Sequence, residues 1–483
     1  MTHHGVITSE PRAPIARGDT HRMTMRHAGG AGPAAEQPMS AAPARHGAML
    51  AAIIAVIVAL STAIYVGVSA DQGGRDQNHL AGGRTPHNSA APASTGTWVG
   101  AWSASPYGGE PNTETNGMAG RSVRNVVHAR ASGTQARVTL SNLYGQQPLS
   151  ITHASIAVAV TVNNPAAAAD TMRRLTFGGN TSVIIPAGEQ VMSDAVRVRI
   201  PYGSDVLVTT YSPTPSGPVT IHPRARQISY VAEGDLTEDV SGLAYTTQTE
   251  HWRYLTALDV LSDESVGTVV VIGDSLTDGI TSTIGANHRW TDVLSERLRA
   301  AAGSDDVPRY SVVNQGISGN QILAAGLGRP AENPSGLSRF GRDVLGRTNV
   351  KAVVLDLGVN DILRNPNQVA PSTITNGLRK LVQQAHARGL RVVGATLMPF
   401  QGHRGYTGAR EAVRQAINAE IRDGKVFDAV VDFDAALRDP YNPRRFRSDY
   451  DSGDHLHPSD KGYKRMAEVF DLEDLKGAAP AEL

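Results

Sequence analysis

In the stretch TVVVIGDSLTDG, residues 268–279, four consecutive apolar residues lead directly into Gly-Asp-Ser. A continuous apolar run of this kind is typical of a strand buried on both faces, as in a parallel sheet. Ser275 stands where that strand ends, so the stretch predicts a serine hydroxyl at the carboxyl edge of a buried sheet. The hydroxyl is either a nucleophile or part of a helix cap, where Ser and Asp satisfy unpaired N–H groups.

Four similar apolar runs follow, and helical patterns lie between them. The runs are YSVVNQG (310–316), AVVLDLG (352–358), RVVGATLMP (391–399) and AVVDFD (429–434). Apolar residues at helical spacing form two stripes, Ile374, Leu378, Leu381, Val382 and Ala385 in one and Val413, Ile417 and Ile421 in the other. Strand–helix alternation of this kind predicts an α/β fold, a doubly wound, three-layer parallel sheet of the flavodoxin-like type, over residues 263–475.

The preceding region, residues 97–262, has a different pattern of apolar and polar residues. Short segments such as ARVTLSN (136–142) and AVRVRI (195–200) alternate apolar and polar residues, and Gly, Pro or Asn separates them. Period-two alternation buries one face of each strand. The region is therefore predicted to be an antiparallel β-sandwich that acts as an accessory domain.

The N-terminal 96 residues are predicted to lie outside both domains. Residues 1–47 lack periodicity and are rich in Pro, Ala, Gly, His and Arg, which favours disorder. Residues 48–70 carry no charged side chain and are long enough to cross a bilayer. They form either a membrane anchor or a signal segment cleaved before Asp71, and residues 71–96 form a linker. We expect the rest of the chain to be extracytoplasmic, either secreted or anchored in the cell membrane.

Composition excludes several classes of protein. The chain has 45 basic and 45 acidic residues, so its net charge gives no reason to expect a nucleic-acid partner. It contains no cysteine, which excludes disulfides, thiolate nucleophiles and cysteine-ligated metals. The 483 residues are enough for two or more domains with their own cores.

Four polar motifs follow the predicted strands or lie near the C-terminus. They are GDSLTDG (273–279), NQGISGN (314–320), GVND (358–361) and DHLHPSD (454–460). Ligands of such sheets bind outside the carboxyl ends of the strands, so we expect these motifs to meet at one edge. Each motif alone has a structural explanation, such as a helix cap or a turn glycine.

Together, in this order and at these positions, the four motifs resemble the SGNH (GDSL) hydrolase family across roughly residues 266–470. The resemblance implies that Ser275 is the nucleophile, that Gly319 and Asn360 donate to the oxyanion, and that His457 is the base with Asp454 beside it. It also implies an ester substrate and no cofactor or metal. The stretch RVTLSNLYGQQPLSITHASIAVA resembles an additional β-domain found in a secreted bacterial branch of the family. One departure is His455, which stands where the family often has a small residue.

The same residue types suit ester hydrolysis on chemical grounds. A serine hydroxyl is a weak nucleophile and needs a neighbouring base, here His457, whose ring Asp454 can orient. The oxygen of a tetrahedral intermediate needs donors, which the N–H groups of Ser275 and Gly319 and the Asn360 amide can supply. The chain has no Gly-x-Ser-x-Gly motif, which argues against the ordinary α/β-hydrolase fold.

Two other functions are compatible with this sequence. An acyltransferase would use the same residues and pass the acyl group to a sugar or lipid alcohol instead of water. Alternatively, the β-domain could bind a surface polysaccharide while the α/β domain acts only as a scaffold. The substrate is expected to be a small-molecule, glycan or lipid ester. Acetylated glycans, short-chain esters, aryl esters and lysophospholipids are all chemically compatible with these residues.

Several neighbouring residues have both structural and functional interpretations. Asp454, His455 and His457 could instead hold a metal ion, although no further ligands suggest themselves. His288, Arg289 and Trp290 could line a substrate cleft or lie on a helix, and Trp98 and Trp102 could stack on sugars or pack at a domain edge. Asp274 and Asp278 are expected to shape the turn around Ser275, and Asp361 is expected to brace the loop of Asn360.

Overall fold

The structure is a computed structural model that describes residues 96–328, 331–365 and 369–478. The predictions for residues 1–47 and 48–70, and for nearly all of the linker 71–96, therefore lie outside the described residues. Within the described ranges, no helix has the length and apolar character needed to span a membrane.

Residues 97–262, hereafter the β-domain, contain the antiparallel strands. These are β1 (Thr97–Ser103), β2 (Gly108–Gly109), β3 (Arg121–His128), β4 (Gly133–Ser141), β5 (Leu149–Ile151), β6 (His153–Val158), β7 (Arg173–Arg174), β8 (Val183–Ile185), β9 (Gln190–Met192), β10 (Val196–Ile200), β11 (Asp205–Ser212), β12 (Thr220–His222), β13 (Ser229–Glu233), β14 (Thr247–Thr249), β15 (Trp252–Arg253) and β16 (Leu255–Ser262). Their order is β1-β16-β4-β10, with β9 beside β4, in one sheet and β14-β13-β3-β11-β6-β7 in a second. Two small sheets, β15-β12-β2 and β5-β8, complete the domain.

The two large sheets enclose one apolar core. Val99, Val138 and Leu258 of the first sheet share a buried cluster with Val127 and Val208 of the second. Along β10, Val198 and Ile200 are buried while Arg197 and Arg199 are exposed, as period-two alternation requires. The prediction of an antiparallel sandwich is confirmed.

Residues 263–475, hereafter the α/β-domain, contain the parallel sheet and the helices. The strands are β17 (Gly267–Gly273), β18 (Tyr310–Gly316), β19 (Val350–Asp356), β20 (Arg391–Ala395) and β21 (Ala429–Val431). The helices are α1 (Ser275–Asp278), α2 (Trp290–Ala300), α3 (Gly336–Phe340) with a π-helical turn (Gly341–Leu345), α4 (Val359–Leu363), α5 (Pro371–His386), α6 (Gly408–Arg422), α7 (Phe433–Leu437), α8 (Asp460–Glu468) and a final 3₁₀ turn (Leu472–Leu475).

The parallel sheet has the order β18-β17-β19-β20-β21. The order reverses between β17 and β19, and at such a switch point the loops after the strands open a crevice for ligands. The apolar run of β17 is buried along its whole length, as expected for a central strand covered on both faces. The helical stripes predicted on α5 and α6 are also buried in the core, which confirms the doubly wound fold.

The two domains belong to one compact unit. The backbone N–H of Gly100 on β1 donates to Thr268 Oγ1 on β17 at 3.0 Å. The fully buried guanidinium of Arg339 donates to Ser105 Oγ at 2.9 Å and to the carbonyls of Gly273 and Gln315 at 2.9 and 2.7 Å. The domain junction therefore contains buried polar contacts as well as apolar packing.

Candidate active site

Ser275 is the first residue of α1, two residues beyond the end of β17. Asp274 caps the helix by accepting a hydrogen bond from Leu276 N at 3.0 Å, and Thr277 Oγ1 donates to Asp356 Oδ2 at 2.8 Å. The short helix is thereby fixed to both central strands. The serine side chain is held at the carboxyl edge of the sheet, as the sequence predicts.

The Ser275 hydroxyl meets the His457 ring, and that ring meets Asp454. His457 Nε2 lies 2.8 Å from Ser275 Oγ, and His457 Nδ1 lies 2.6 Å from Asp454 Oδ2. Asp454 Oδ1 also accepts hydrogen bonds from the backbone N–H groups of Leu456 and His457, at 3.0 and 2.8 Å. The arrangement has the geometry in which a histidine takes the serine proton while a carboxylate orients the ring.

The carboxylate of Asp454 is held in its ionised form. Burial alone would raise the pKa of Asp454, but the hydrogen bonds from the His457 ring and backbone N–H groups hold that pKa well below its usual range. An ionised Asp454 fixes the proton on His457 Nδ1 and leaves Nε2 to accept the proton of Ser275.

The His455 ring pairs with a different carboxylate, that of Asp451. Its Nδ1 is 2.6 Å from Asp451 Oδ2, and its ring packs beside Gly402. The two histidines of the DHLHPSD motif therefore pair separately, His455 with Asp451 and His457 with Asp454. Among the described residues, no cluster of His, Asp and Glu side chains has the arrangement of a metal site.

Gly319 lies in the loop after β18 with a backbone φ of +77°. A side chain at this position would be strained, and its Cβ would come within 2.2 Å of Arg364 Nη2. Arg364 Nε in turn donates to Asn360 Oδ1 at 3.3 Å. The Arg364 guanidinium thus lies against both predicted oxyanion residues.

Asn360 lies on α4, directly after β19, and its side chain reaches the turn that carries Ser275. Its Nδ2 donates to Asp274 Oδ2 at 3.0 Å. A side-chain amide carries two hydrogens, so the second one can donate to a substrate oxygen beside Ser275. Asp274 therefore positions both the start of the Ser275 helix and the Asn360 amide.

Three buried carboxylates lie below these groups. Burial raises the pKa of Asp356 to about 6 and the pKa of Asp361 to about 6. Burial and, secondarily, the neighbouring Asp356 raise the pKa of Asp274 well above its usual range. The Asp361 carboxylate accepts from Ile322 N and Leu323 N at 2.8 and 3.1 Å, so it braces the loop after Gly319 as well as the α4 turn.

We expect Asp356→Asn to stabilise the protein at neutral pH. A carboxyl whose pKa is higher in the folded state than in the unfolded state contributes stability below pH 4, and that contribution is lost as the pH rises through about 6. Asparagine keeps an acceptor for Thr277 but does not ionise. The free energy of unfolding, from urea titrations at pH 7.5, should therefore rise by about 2 kcal/mol and return toward the wild-type value at pH 4.

The exposed Asp263 provides the control for this prediction. Asp263→Asn should change the free energy of unfolding by less than about 0.5 kcal/mol at both pH values. An Asp356→Asn variant that is less stable than wild type at pH 7.5 would show that its carboxylate is stabilising.

Two groups of aromatic and basic residues have structural roles. Trp290 is fully buried against Phe433, Arg289 is 7% exposed, and His288 is a surface residue that pairs with Asp460. Trp102 packs edge-on against Trp252 at 4.7 Å, and the Arg137 guanidinium covers the Trp98 ring at 4.5 Å. Both tryptophans thus make contacts within the β-domain.

Two residues near the site were not anticipated from the sequence. Arg364 follows the GVND motif by only three residues, but nothing in its spacing indicates contact with Gly319. His403 lies in the loop after β20, where burial, despite the nearby Asp454, lowers its pKa below the usual histidine value. Such contacts depend on how separate loops fold over the sheet edge.

Comparison with known proteins finds a similar family. The model of the GDSL-like lipase/acylhydrolase family matches residues 271–465, a range that includes Ser275, Gly319, Asn360 and His457. No curated protein matches the chain at a significant level.

Three similar solved structures cover about two fifths of this chain. A lipolytic protein of the G-D-S-L family from Desulfitobacterium hafniense is 22% identical, covers 42% of this chain and 97% of its own, and has a TM-score of 0.32. A GDSL-like lipase from Bacteroides thetaiotaomicron is 19% identical, covers 43% of this chain and 88% of its own, and has a TM-score of 0.30. Est24, a carbohydrate acetylesterase from Sinorhizobium meliloti, is 17% identical, covers 42% of this chain and 95% of its own, and has a TM-score of 0.32.

The similarity to this family rests on the match to the family model. The matched range begins inside β17 and ends inside α8, so it includes the end of β17 and the other four strands of the parallel sheet. Residues 271–465 therefore form a segment that matches the GDSL-like lipase/acylhydrolase family.

Proposed function

We propose that the protein is an exported serine hydrolase that cleaves carboxylic esters through an acyl-enzyme. The observation that carries the proposal is the continuous contact from Ser275 Oγ to His457 Nε2, at 2.8 Å, and from His457 Nδ1 to Asp454, at 2.6 Å. The uncharged segment 48–70 supports export, because it suits either a membrane anchor or a cleaved signal.

In the acylation step, Ser275 Oγ attacks the ester carbonyl and its proton passes to His457 Nε2. The carbonyl oxygen becomes negatively charged and accepts hydrogen bonds from Ser275 N, Gly319 N and Asn360 Nδ2. When the C–O bond of the ester breaks, the imidazolium gives its proton to the leaving alcohol. Asp454 stays ionised throughout and stabilises the imidazolium.

Deacylation repeats these steps with water as the nucleophile. His457 takes a proton from the water, the hydroxide attacks the acyl-serine, and a second tetrahedral intermediate uses the same donors. Its collapse releases the carboxylic acid and returns the proton to Ser275. Because the products are an acid and an alcohol, hydrolysis is distinguished from acyl transfer by whether the acid accumulates in stoichiometric amount with the alcohol.

The direct test is covalent labelling of the full chain with a serine-directed fluorophosphonate, followed by peptide mapping. A mild non-ionic detergent keeps the chain in solution despite its apolar segment. We expect one adduct, on the peptide that carries Ser275, and no adduct after heat denaturation, because only the folded site activates the hydroxyl. A native chain that hydrolyses no ester and takes no label at Ser275 would contradict the proposal.

A further inference from the structure

His222 is a residue of the β-domain whose ring reaches the nucleophile helix of the α/β-domain. Its Nε2 lies 3.0 Å from Asp278 Oδ1, and the two side chains are only 4% and 5% exposed. His222 Nδ1 lies 2.8 Å from the carbonyl oxygen of Ser105. Because a carbonyl can only accept, Nδ1 carries a hydrogen, and the contact with Asp278 then requires a second proton between the ring and the carboxyl group.

The other oxygen of Asp278 holds the loop that carries Gly319. Asp278 Oδ2 accepts hydrogen bonds from Ser318 N at 3.0 Å and from Ser318 Oγ at 2.5 Å. Ser318 immediately precedes Gly319, whose N–H is the proposed oxyanion donor. One carboxylate thus connects the β-domain histidine to the backbone of residues 316–320, hereafter the oxyanion loop.

A second contact fixes the peptide bond that contains the Gly319 N–H. The carbonyl oxygen of that peptide belongs to Ser318 and accepts from Asn333 Nδ2 at 3.1 Å. In a trans peptide the carbonyl and the N–H point in opposite directions, so Asn333 determines where the Gly319 N–H points. The backbone N–H of Asn333 donates to the carbonyl of Tyr107, in the β-domain, at 2.7 Å.

From these two contacts we infer that the β-domain completes the oxyanion hole, and that His222 is a positioning residue that acts through Asp278 on the Gly319 N–H. This inference rests on the proposed ester hydrolysis. An oxyanion donor is effective only within about 2.7–3.1 Å of the developing charge. Holding the loop from two sides keeps the donor at that distance, which gives the β-domain a part in catalysis without contact with substrate.

Two substitutions of His222 separate its two hydrogen bonds. The amide nitrogen of asparagine replaces Nδ1 and keeps the bond to Ser105, whereas that of glutamine replaces Nε2 and keeps the bond to Asp278. In the full chain we expect His222→Asn to lower kcat by about 10- to 100-fold with KM changed less than about 3-fold, because a misplaced donor weakens only the transition state. His222→Gln should stay within about 3-fold of wild type for both constants.

His128 provides a matched control in the same domain. Its Nδ1 lies 2.7 Å from the buried Asp205, and no described hydrogen bond joins this pair to the oxyanion loop. His128→Gln therefore breaks a comparable His–Asp contact and should leave kcat unchanged. Equal losses in His222→Asn and His222→Gln, or a wild-type kcat in His222→Asn, would overturn the inference.

Hydrogen–deuterium exchange tests the same loop without substrate. Peptides covering residues 316–320 should exchange faster in His222→Asn than in wild type, and at the wild-type rate in His222→Gln. Should His222→Asn fail to fold, the same comparison is made at Asp278 in the α/β-domain. Asp278→Ala removes the hydrogen bonds of the side chain, whereas Asp278→Asn keeps a side chain of the same size that can form them. Unchanged exchange in the variant that breaks the contact would overturn the inference, whereas an unmodified chain that hydrolyses no ester would count against the proposed function alone.

Discussion

Replacing Ser275 with alanine is expected to reduce kcat for ester hydrolysis by about 10⁶-fold, because the acyl-enzyme can no longer form. The residual rate would come from substrate binding and the remaining oxyanion donors, which still favour attack by water. The fold should be unaffected, since the Ser275 side chain is 8% exposed and its hydroxyl bonds only to the His457 ring among the described contacts. Steady-state kinetics on a chromogenic ester, with thermal unfolding alongside, measures both expectations.

Ser282 is the matched control for this substitution. Its buried hydroxyl, in the same turn region, donates to the Gly279 carbonyl at 2.7 Å. Ser282→Ala removes a hydroxyl of equal size nearby and should keep kcat within about 10-fold of wild type, with some loss of stability from the lost hydrogen bond. Turnover above 1% of wild type in purified Ser275→Ala would contradict the assignment of Ser275 as nucleophile.

The fold could be predicted from the sequence because its two domains bury their strands differently. The run of β17 is apolar at every central position since helices cover both faces, whereas β10 alternates because one face meets solvent. The contact of Ser275 with His457 could be predicted from the resemblance to the SGNH (GDSL) family, because the DHLHPSD motif does not directly follow a parallel strand, and Asp454 lies three residues from His457.

The contacts between domains could not be predicted in the same way. Asp278 was expected only to shape the turn after Ser275, yet one of its oxygens contacts the β-domain and the other contacts Ser318. Neither His222 nor Tyr107 lies in a motif, and they reach the site because β12 contacts α1 through Asp278 and the loop after β1 contacts Asn333. Hydrophobic periodicity specifies which face of a strand is buried, but it does not specify which side chains of two folded domains contact each other.

Replacing His457 with alanine is expected to lower kcat by about as much as the serine substitution, on the order of 10⁶-fold. Without the ring, Ser275 Oγ loses its described acceptor at 2.8 Å, and the leaving alcohol loses the proposed proton donor. Under the proposed mechanism the two losses do not add, because Ser275 and His457 would act as a unit. The double variant Ser275→Ala, His457→Ala should therefore be about as active as either single variant.

His455 makes this prediction specific to one of the two histidines in the motif. Its ring is paired with Asp451, and its side chain is 49% exposed, compared with 14% for His457. His455→Ala should therefore keep kcat within about 10-fold of wild type and label with fluorophosphonate at a similar rate, because the His457–Asp454 contact is unchanged. If His455→Ala were inactive and His457→Ala active, His455 would be the base, and the loop would have to rearrange to bring its ring to Ser275.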